Sequence, residues 1–382
     1  MLLSSILGMV VMASARDLIT IFVALELLSI PAYMLATWRK RDLKSNEAGL
    51  KYYLMGVFAS AIMLYGMSLI FGVSGSTILV DINAAISSGE SSTSIITLGV
   101  IFVIIGFAFK VSAFPFHTWA PDTYEGAPTP VTAFLAVASK AAGFVALMNL
   151  VVVGFFGRGD VFQPLLWILA ALSMTAGNVM ALRQTNLIRL MAYSGIAQAG
   201  FMLAPLAVAG ESIDIADKSV SAVVTYLAIY ASMNLGAFAI ILSVSRTTGT
   251  GQIESYNGLF KTAPSLAIMM TIFLASLAGV PPLGGWFAKF SVFTSLTSAD
   301  TGWGYALAVI AAVNAVIAFG YYGRIAMKMW VEEPHHSHTS EMKIPVSLST
   351  ALAITVATTL AFGVVPGIVT HFTDVSLTAF AM

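Results

Sequence analysis

Runs of about twenty apolar residues recur along this chain, and they limit its possible folds more than any other feature. A helix that crosses a bilayer needs roughly 20 such residues, because the hydrocarbon core is about 30 Å thick and the helix rises about 1.5 Å per residue. Reading for them gives about eleven: 1–14, 17–37, 47–72, 95–116, 129–155, 163–182, 186–209, 218–244, 264–297, 303–330 and 344–367. In lipid, each segment must pair its own backbone N–H and C=O groups, so these runs predict helices. The expected fold is all-α, a polytopic transmembrane helix bundle of about 11 spans that forms a single integral membrane domain over 1–382. The run 1–14 is short for a span and too apolar for a loop. It lacks the basic start and cleavage site of a signal peptide, so it reads as a helix close to the start of a shortened chain.

Composition agrees and removes several function classes. Of 382 residues, 58% are hydrophobic and 9% charged. A soluble domain carries about 25% charged residues, so this chain cannot cover itself against water. Net charge is zero, with 18 basic and 18 acidic residues and no basic tract, which argues against nucleic acid as a partner. There is no cysteine, which excludes an iron–sulfur cluster held by the chain's own thiolates, and no disulfide is possible. No G-x-G-x-x-G follows a strand pattern, so no nicotinamide or flavin is expected on this chain. The metal expectation is likewise none.

Loop charges orient the bundle. Counting alternate loops as one side, Arg39, Lys40, Arg41, Lys44, Arg183, Arg189, Arg246, Lys261, Arg324, Lys328 and Lys343 fall together. Only Arg16, Arg158 and Lys218 fall opposite, where Asp81, Glu90, Glu211, Asp214 and Asp300 also lie. Such a bias marks the first side as cytoplasmic.

Two hydrophobic segments are interrupted. Residues 95–130 contain Pro115, Pro121, Pro128 and Pro130; residues 264–297 contain Gly279, Pro281, Pro282, Gly284 and Gly285. As one straight helix the second would reach about 50 Å, well beyond the hydrocarbon core, so a break near 279–285 is expected. The breaks share a spacing, Pro115-Phe-His-Thr-Trp119 and Pro282-Leu-Gly-Gly-Trp286. Tyr53-Leu54 with Ala59-Ser60 is echoed by Tyr226-Leu227 with Ala231-Ser232. Paired broken helices point to a transport site between two inverted-topology repeats. The halves expected are roughly 1–155 and 156–330, followed by a C-terminal helix at 344–367.

Four charged residues lie inside apolar runs: Glu26, Lys110, Lys140 and Lys289. Each costs about 2.5–3.5 kcal/mol at mid-membrane on insertion scales, on the order of 10–14 kcal/mol together. Glu26 sits in LITIFVALELLSIPAYML, where it is either a packing carboxyl held neutral or the partner of a lysine. Lys110 is too deep to snorkel easily, and His117 follows it on the same face if the helix survives Pro115. Lys140 is surrounded by Ala138, Ser139, Ala141, Ala142 and Gly143, which leave room for close helices and water. Lys289 stands just past the second break, where backbone carbonyls or water would meet it. Each lysine also has a structural reading, a permanent ion pair. Lys51 begins its helix beside a basic loop, and interfacial snorkelling accounts for it as well as function does. His335, His336 and His338 form a His-rich tract that reads as solvated loop more readily than as a metal site. Tyr193, Ser194 and Gln198 either hold a water file or bond helix to helix.

Several stretches resemble subunit N of the proton-pumping NADH:quinone oxidoreductase, respiratory complex I. The densest is KVSAFPFHTWAPDTYEGAPTPVTAFLAVASKAAGF (110–144), supported by 24–36, 47–66, 178–201 and LAGVPPLGGWFAKF (277–290). The resemblance spans nearly the whole chain. It implies that Glu26 partners Lys110 on the first broken helix, that Lys140 is the central relay lysine, and that Lys289 stands near the proton exit. His117 and Lys51 match polar positions of the same hydrophilic axis. It further implies a water-linked relay in a translocase subunit with no redox centre of its own. NADH, FMN, iron–sulfur clusters and quinone would be used in other subunits. The implied partners are membrane-arm subunits, a neighbouring antiporter-like subunit among them, and the lipid bilayer of a bacterial plasma membrane. Full-length members resemble fourteen helices, so three N-terminal helices outside the relay are absent from this chain.

Three other readings share features with this sequence. A cation/proton antiporter subunit of the multisubunit sodium/proton type, or a related hydrogenase subunit, shares the fold, but the 110–144 wording disfavours it. A secondary anion carrier would be expected to offer a mid-membrane arginine for carboxylate recognition, and every arginine here stands in a loop or at a helix end. A packing subunit with inert ion pairs would tolerate loss of Lys140.

Overall fold

The computed structural model describes residues 1–88, 93–334 and 344–373. Glu90, Lys343 and the tract His335, His336 and His338 lie outside the described residues. The described elements are helices throughout. They are α1 (Leu2–Ser14), α2 (Leu18–Ala36), α3 (Leu43–Ser74), α4 (Leu79–Ser87), α5 (Thr93–Lys110) and α6 (Trp119–Gly126). Then come α7 (Thr129–Gly154), α8 (Gly159–Leu182), α9 (Leu187–Leu206) and α10 (Ile213–Thr248). The last are α11 (Pro264–Ala278), α12 (Gly284–Ser298), α13 (Gly302–Val331), α14 (Val346–Val364) and α15 (Gly367–Thr373). Among the described residues, 8 helices are long and apolar enough to cross a membrane, and Leu2–Ser14, Ser94–Lys110 and Pro264–Ala278 are shorter apolar helices. These match the expected runs one for one.

Helices start and stop where the sequence offers caps at the two water faces. Asp17 accepts from Thr20 N at 2.8 Å to open α2, and Asn186 accepts from Ile188 N at 2.9 Å to open α9. Gly75 and Gly249 close α3 and α10 in the left-handed conformation, with φ of 70° and 71°. One short element was not expected. α4 is too short to span, but Leu79, Ile82 and Ile86 recur at helical spacing and are buried. It lies along the acidic face, beside the end of α7.

Both interrupted segments are broken as expected, and they close alike. α5 stops at Lys110; Ser112 turns left-handed at φ 61°, and Ala113 N donates to Ala108 O at 2.7 Å. α11 stops at Ala278; Gly279 turns left-handed at φ 96°, and Val280 N donates to Ala275 O at 3.0 Å. Each is a Schellman-type stop that satisfies carbonyls a spanning helix would leave bare. The peptides before Pro115 and Pro282 are both cis. α6 and α12 then continue across. α3 packs against both α5 and α6, and α10 packs against both α11 and α12. Gly285 opens α12 so close to α11 that a Cβ there would lie 1.8 Å from Ser276 O.

α7 contains two π-helical turns, at Leu135–Ser139 and Leu150–Gly154. The first ends directly before Lys140. Such turns shift the register of the backbone bonds and recur at functional sites.

Loops of alternate sign collect on opposite faces. Arg39, Lys44, Asn186, Arg246 and Gln252 line one cavity of about 580 Å³ on the basic face. Asp160, Gln163, Glu211 and Trp303 line a smaller one on the other face. Large apolar side chains such as Phe58, Val309, Val316 and Ile354 are exposed, as lipid contact requires.

Candidate functional site

The buried charges do not stand alone. Near the middle of α2, Glu26 is half-buried and accepts from Ser60 Oγ of α3 at 2.5 Å. One turn further along α2, Ser29 is buried and accepts from Lys110 Nζ at 2.8 Å. Glu26 and Lys110 therefore share a site, with Lys110 bonded to Ser29 and Glu26 to Ser60, and they interact through the field between them rather than by a direct ion pair. The rings of Tyr33 and Tyr52 meet edge to face beside them, with centroids 4.6 Å apart. Tyr52 stacks on Trp119 at 4.4 Å, which ties α6 to α3 next to the first break.

Lys110 leads on to Lys140. The Lys110 stem packs over Gly143, where a Cβ would lie 3.0 Å from Lys110 Cγ. Gly143 stands one turn beyond Lys140 on α7. Lys140 is buried, and its ammonium donates to Gly195 O of α9 at 2.7 Å.

From Gly195 a line of neutral polar groups runs to Lys289. Ser194 and Tyr322 share a hydrogen bond between their hydroxyls. Gln198 Nε2 donates to Tyr322 Oη at 3.3 Å and to Leu277 O at 3.1 Å. Tyr226 donates to Gln198 Oε1. The next carbonyl, Ala278 O, accepts from Lys289 Nζ at 2.6 Å, and Lys289 also lies over the Phe201 ring at 5.0 Å from its centroid. Behind Tyr322, Tyr321 donates to Asn178 Oδ1 at 3.0 Å, and Asn178 donates to Asn314 Oδ1 at 3.0 Å.

The partners suit groups that change charge. A carbonyl accepts from an ammonium and equally from a neutral amine, so Lys140 and Lys289 stay hydrogen-bonded in both states. A hydroxyl such as Ser29 both accepts and donates. Ala278 O is also the last carbonyl of α11, at the negative end of a half-helix that stops inside the membrane. Such an end favours a cation by about 0.3–1 kcal/mol, and up to ~2 kcal/mol where partly buried. Among the described residues, no carboxylate approaches Lys140 or Lys289 within ion-pair distance, so neither is locked in a permanent pair.

His117 and Lys51 are placed differently. The helix does not survive to Pro115, so His117 does not share a helical face with Lys110. It lies buried in the link between α5 and α6, stacked on Phe114 at 5.0 Å and tilted to Tyr193 at 6.4 Å. Lys51 lies at the basic face with an exposed ammonium, 2.6 Å from Glu47 and 2.7 Å from Asp122. Arg189 joins Asp122 at 2.7 Å and Glu125 at 3.0 Å. This lattice ties α3, α6 and α9 together at the surface, where each pair is worth about 0–1 kcal/mol. Of the three polar residues singled out on α9, Ser194 and Gln198 enter the line to Lys289 and Tyr193 does not. Tyr322 and Ser29 escaped sequence reading, and Tyr226 and Ser60 entered it only as positions of the internal echo. Only the turn-spaced polar positions Tyr226, Tyr230 and Asn234 on α10 offered a signal.

Known proteins share this architecture. The family of NADH:quinone oxidoreductase/Mrp antiporter transmembrane subunits matches residues 15–315. This chain belongs to that family. Its sequence is of the subunit N type: NADH-quinone oxidoreductase subunit N of Trichlorobacter lovleyi is 40% identical over 373 residues, 97% of this chain and 74% of the relative. NAD(P)H-quinone oxidoreductase subunit 2 of Crocosphaera subtropica is 44% identical over 346 residues, 90% of this chain and 65% of the relative. The chain thus spans 65% to 74% of the length of these two relatives. A chain of respiratory complex I from Thermus thermophilus superposes with TM-score 0.82 at 33% identity, over 96% of this chain and 78% of that one. A chain of the Mrp complex from Dietzia sp. superposes with TM-score 0.86 at 21% identity, over 97% of this chain and 76% of that one, a likeness of fold. As a member of this antiporter-like family, the chain is a multi-pass membrane protein.

Proposed function

We propose that this chain is a proton-translocating membrane-arm subunit of NADH:quinone oxidoreductase. It passes protons along Glu26, Lys110, Lys140 and Lys289 while quinone is reduced in other subunits. The observation that carries the reading is the line from Lys140 to Lys289. It runs through Gly195, Ser194, Tyr322 and Gln198 to the carbonyls of Leu277 and Ala278. Every side chain on it can donate and accept, and both ends are lysines whose hydrogen bonds survive loss of a proton. His117, buried beside Tyr193, is a secondary station; Lys51 acts at the surface lattice.

The closing geometry of the breaks and the matched packing of α3 and α10 support two inverted halves, roughly 1–155 and 156–330, with the helix at 344–367 outside them. The redox cofactors belong to other subunits, a neighbouring antiporter-like subunit shares the membrane arm, and the bilayer is the bacterial plasma membrane.

The test is Lys140→Ala in the assembled complex, with proton uptake measured against quinone reduction. Loss of pumping with assembly intact is expected. Pumping at the parental proton-to-electron ratio would sink the relay and favour an inert packing subunit. Pumping that requires sodium would favour the antiporter reading instead.

A further inference from the structure

α8 carries none of the four buried charges, yet it touches both helices that meet in the line from Lys140 to Lys289. Ser194 and Gln198 come from α9 and Tyr322 from α13, and these two helices touch each other little. α8 packs broadly against α9 and also against α13.

The two contacts differ in kind. Toward α9, α8 offers bare backbone. A Cβ on Gly177 would lie 2.6 Å from Ala197 N and 2.8 Å from Tyr193 O, and one on Gly200 of α9 would lie 2.6 Å from Met174 N. Glycine on both helices lets them meet more closely than side chains allow. Toward α13, α8 offers hydrogen bonds at three levels. Trp167 Nε1 donates to Trp303 O at 3.0 Å near the acidic face. At the basic end, Arg324 donates to Leu182 O at 3.0 Å and to Gln184 O at 2.7 Å, just past the end of α8. Between them, Asn178 Nδ2 donates to Asn314 O and Oδ1, both at 3.0 Å, and Asn314 Nδ2 donates to Thr175 Oγ1 at 3.2 Å.

Two of these grips fall directly beside the line. Gly177 meets α9 at Tyr193 and Ala197, the residues that precede Ser194 and Gln198. Asn178, the next residue of α8, is buried and accepts from Tyr321 Oη at 3.0 Å. Tyr321 precedes Tyr322, and their ring centroids stand 4.3 Å apart. Successive residues of a helix point about 100° apart, so one tyrosine reaches α8 while the other reaches α9. An apolar residue at 178 would pack between the helices equally well, whereas the amide fixes one particular phenol by its hydroxyl.

We propose that α8 is a splint that sets the spacing of α9 and α13, and that its Asn178 is a positioning residue that holds Tyr322 against Ser194 and Gln198 by way of Tyr321. The proposal rests on the relay reading of that line. Asn178 donates and accepts hydrogen bonds and carries no proton itself. Without its amide, Tyr321 no longer backs the Tyr322 ring from a fixed place, and the Tyr322 hydroxyl loses its set distance to its two partners.

The experiment uses the assembled complex in proteoliposomes and reads the proton-to-electron ratio. Asn178→Leu removes the amide at nearly constant volume and is expected to lower the ratio several-fold. Asn178→Thr, whose hydroxyl donates and accepts, should recover part of the loss. Tyr322→Phe should also lower the ratio, and adding Asn178→Leu to it should lower it no further. A general loosening of the bundle would lower it further in that background, so additive losses would overturn the proposal. A leucine variant that pumps at the parental ratio while Tyr322→Phe does not would overturn it too and leave the relay standing. If Tyr322→Phe itself pumps at the parental ratio, the relay through this line falls and the proposal with it. Should the leucine variant fail to assemble, Tyr321→Phe decides, because it deletes only the hydroxyl that Asn178 holds. A lower ratio that vanishes as a difference in the Tyr322→Phe background supports the proposal, and the parental ratio overturns it.

Discussion

The two broken helices close with the same backbone bonds around Ser112 and Gly279, yet they set their lysines on opposite sides of the bend. Counted from those residues, Lys289 falls where the first break has Asp122, and Lys110 falls where the second has Leu277. At the first break the lysine ends the arriving helix and reaches across to α2, where Glu26 stands one turn from its partner Ser29. At the second, the lysine rides the departing helix and reaches back to Ala278 O, the last carbonyl of the arriving one. Both ammonium groups thus stand at the carbonyl end of a half-helix, but only the first has a carboxylate close by. The same backbone device yields one lysine whose charge a neighbouring carboxylate supports and one that depends on dipoles and a ring face.

The largest effects should come from the lysines. Lys110→Ala and Lys289→Ala should each depress pumping and coupled quinone reduction together, read as proton-to-electron stoichiometry in proteoliposomes. Lys→Arg at either position should fail as well, because a guanidinium does not release its proton. An unchanged stoichiometry in both alanine variants would break the comparison. Glu26→Gln sharpens it. It should impair the complex through Lys110 alone, so combining it with Lys110→Ala should add little, whereas combining it with Lys289→Ala should be worse than either.

Smaller effects should come from the bends. Gly279→Ala puts a side chain into the left-handed region at a cost of about 1–2 kcal/mol. Its Cβ would also lie 3.0 Å from Lys289 Cδ, so the purified complex should melt earlier and pump less. Ser112→Gly should change stability by no more than about 1 kcal/mol, because relief of the left-handed serine is offset by the entropy of glycine in the unfolded chain. A Gly279→Ala variant as stable and active as the parent would show that the two bends are not held alike.

Much of the fold was legible because lipid enforces it. Apolar runs of spanning length had to be helices, and the Gly279, Pro281, Pro282 cluster could not continue one. The charged residues were legible because each is costly in an apolar run. The rest was hidden for physical reasons. Tyr226, Tyr322 and Gln198 cost little in a helix and read as ordinary packing until their partners on other helices are seen. Lys110 was expected beside Glu26, and its hydrogen bond goes instead to Ser29, a residue with no signal of its own. His117 was expected on the face of Lys110 only if the helix outlasted Pro115, and the stop at Lys110 removes that condition. The π-helical turn before Lys140 leaves no mark in residue type, and α4 fell below spanning length.

The central claim is that a proton crosses from Lys140 to Lys289 through uncharged groups. The most direct measurement is the proton-to-electron stoichiometry of the assembled complex carrying Gln198→Leu, with both lysines in place. The line of polar groups predicts a fall in stoichiometry comparable to that of Lys289→Ala. Pumping at the parental ratio would contradict it.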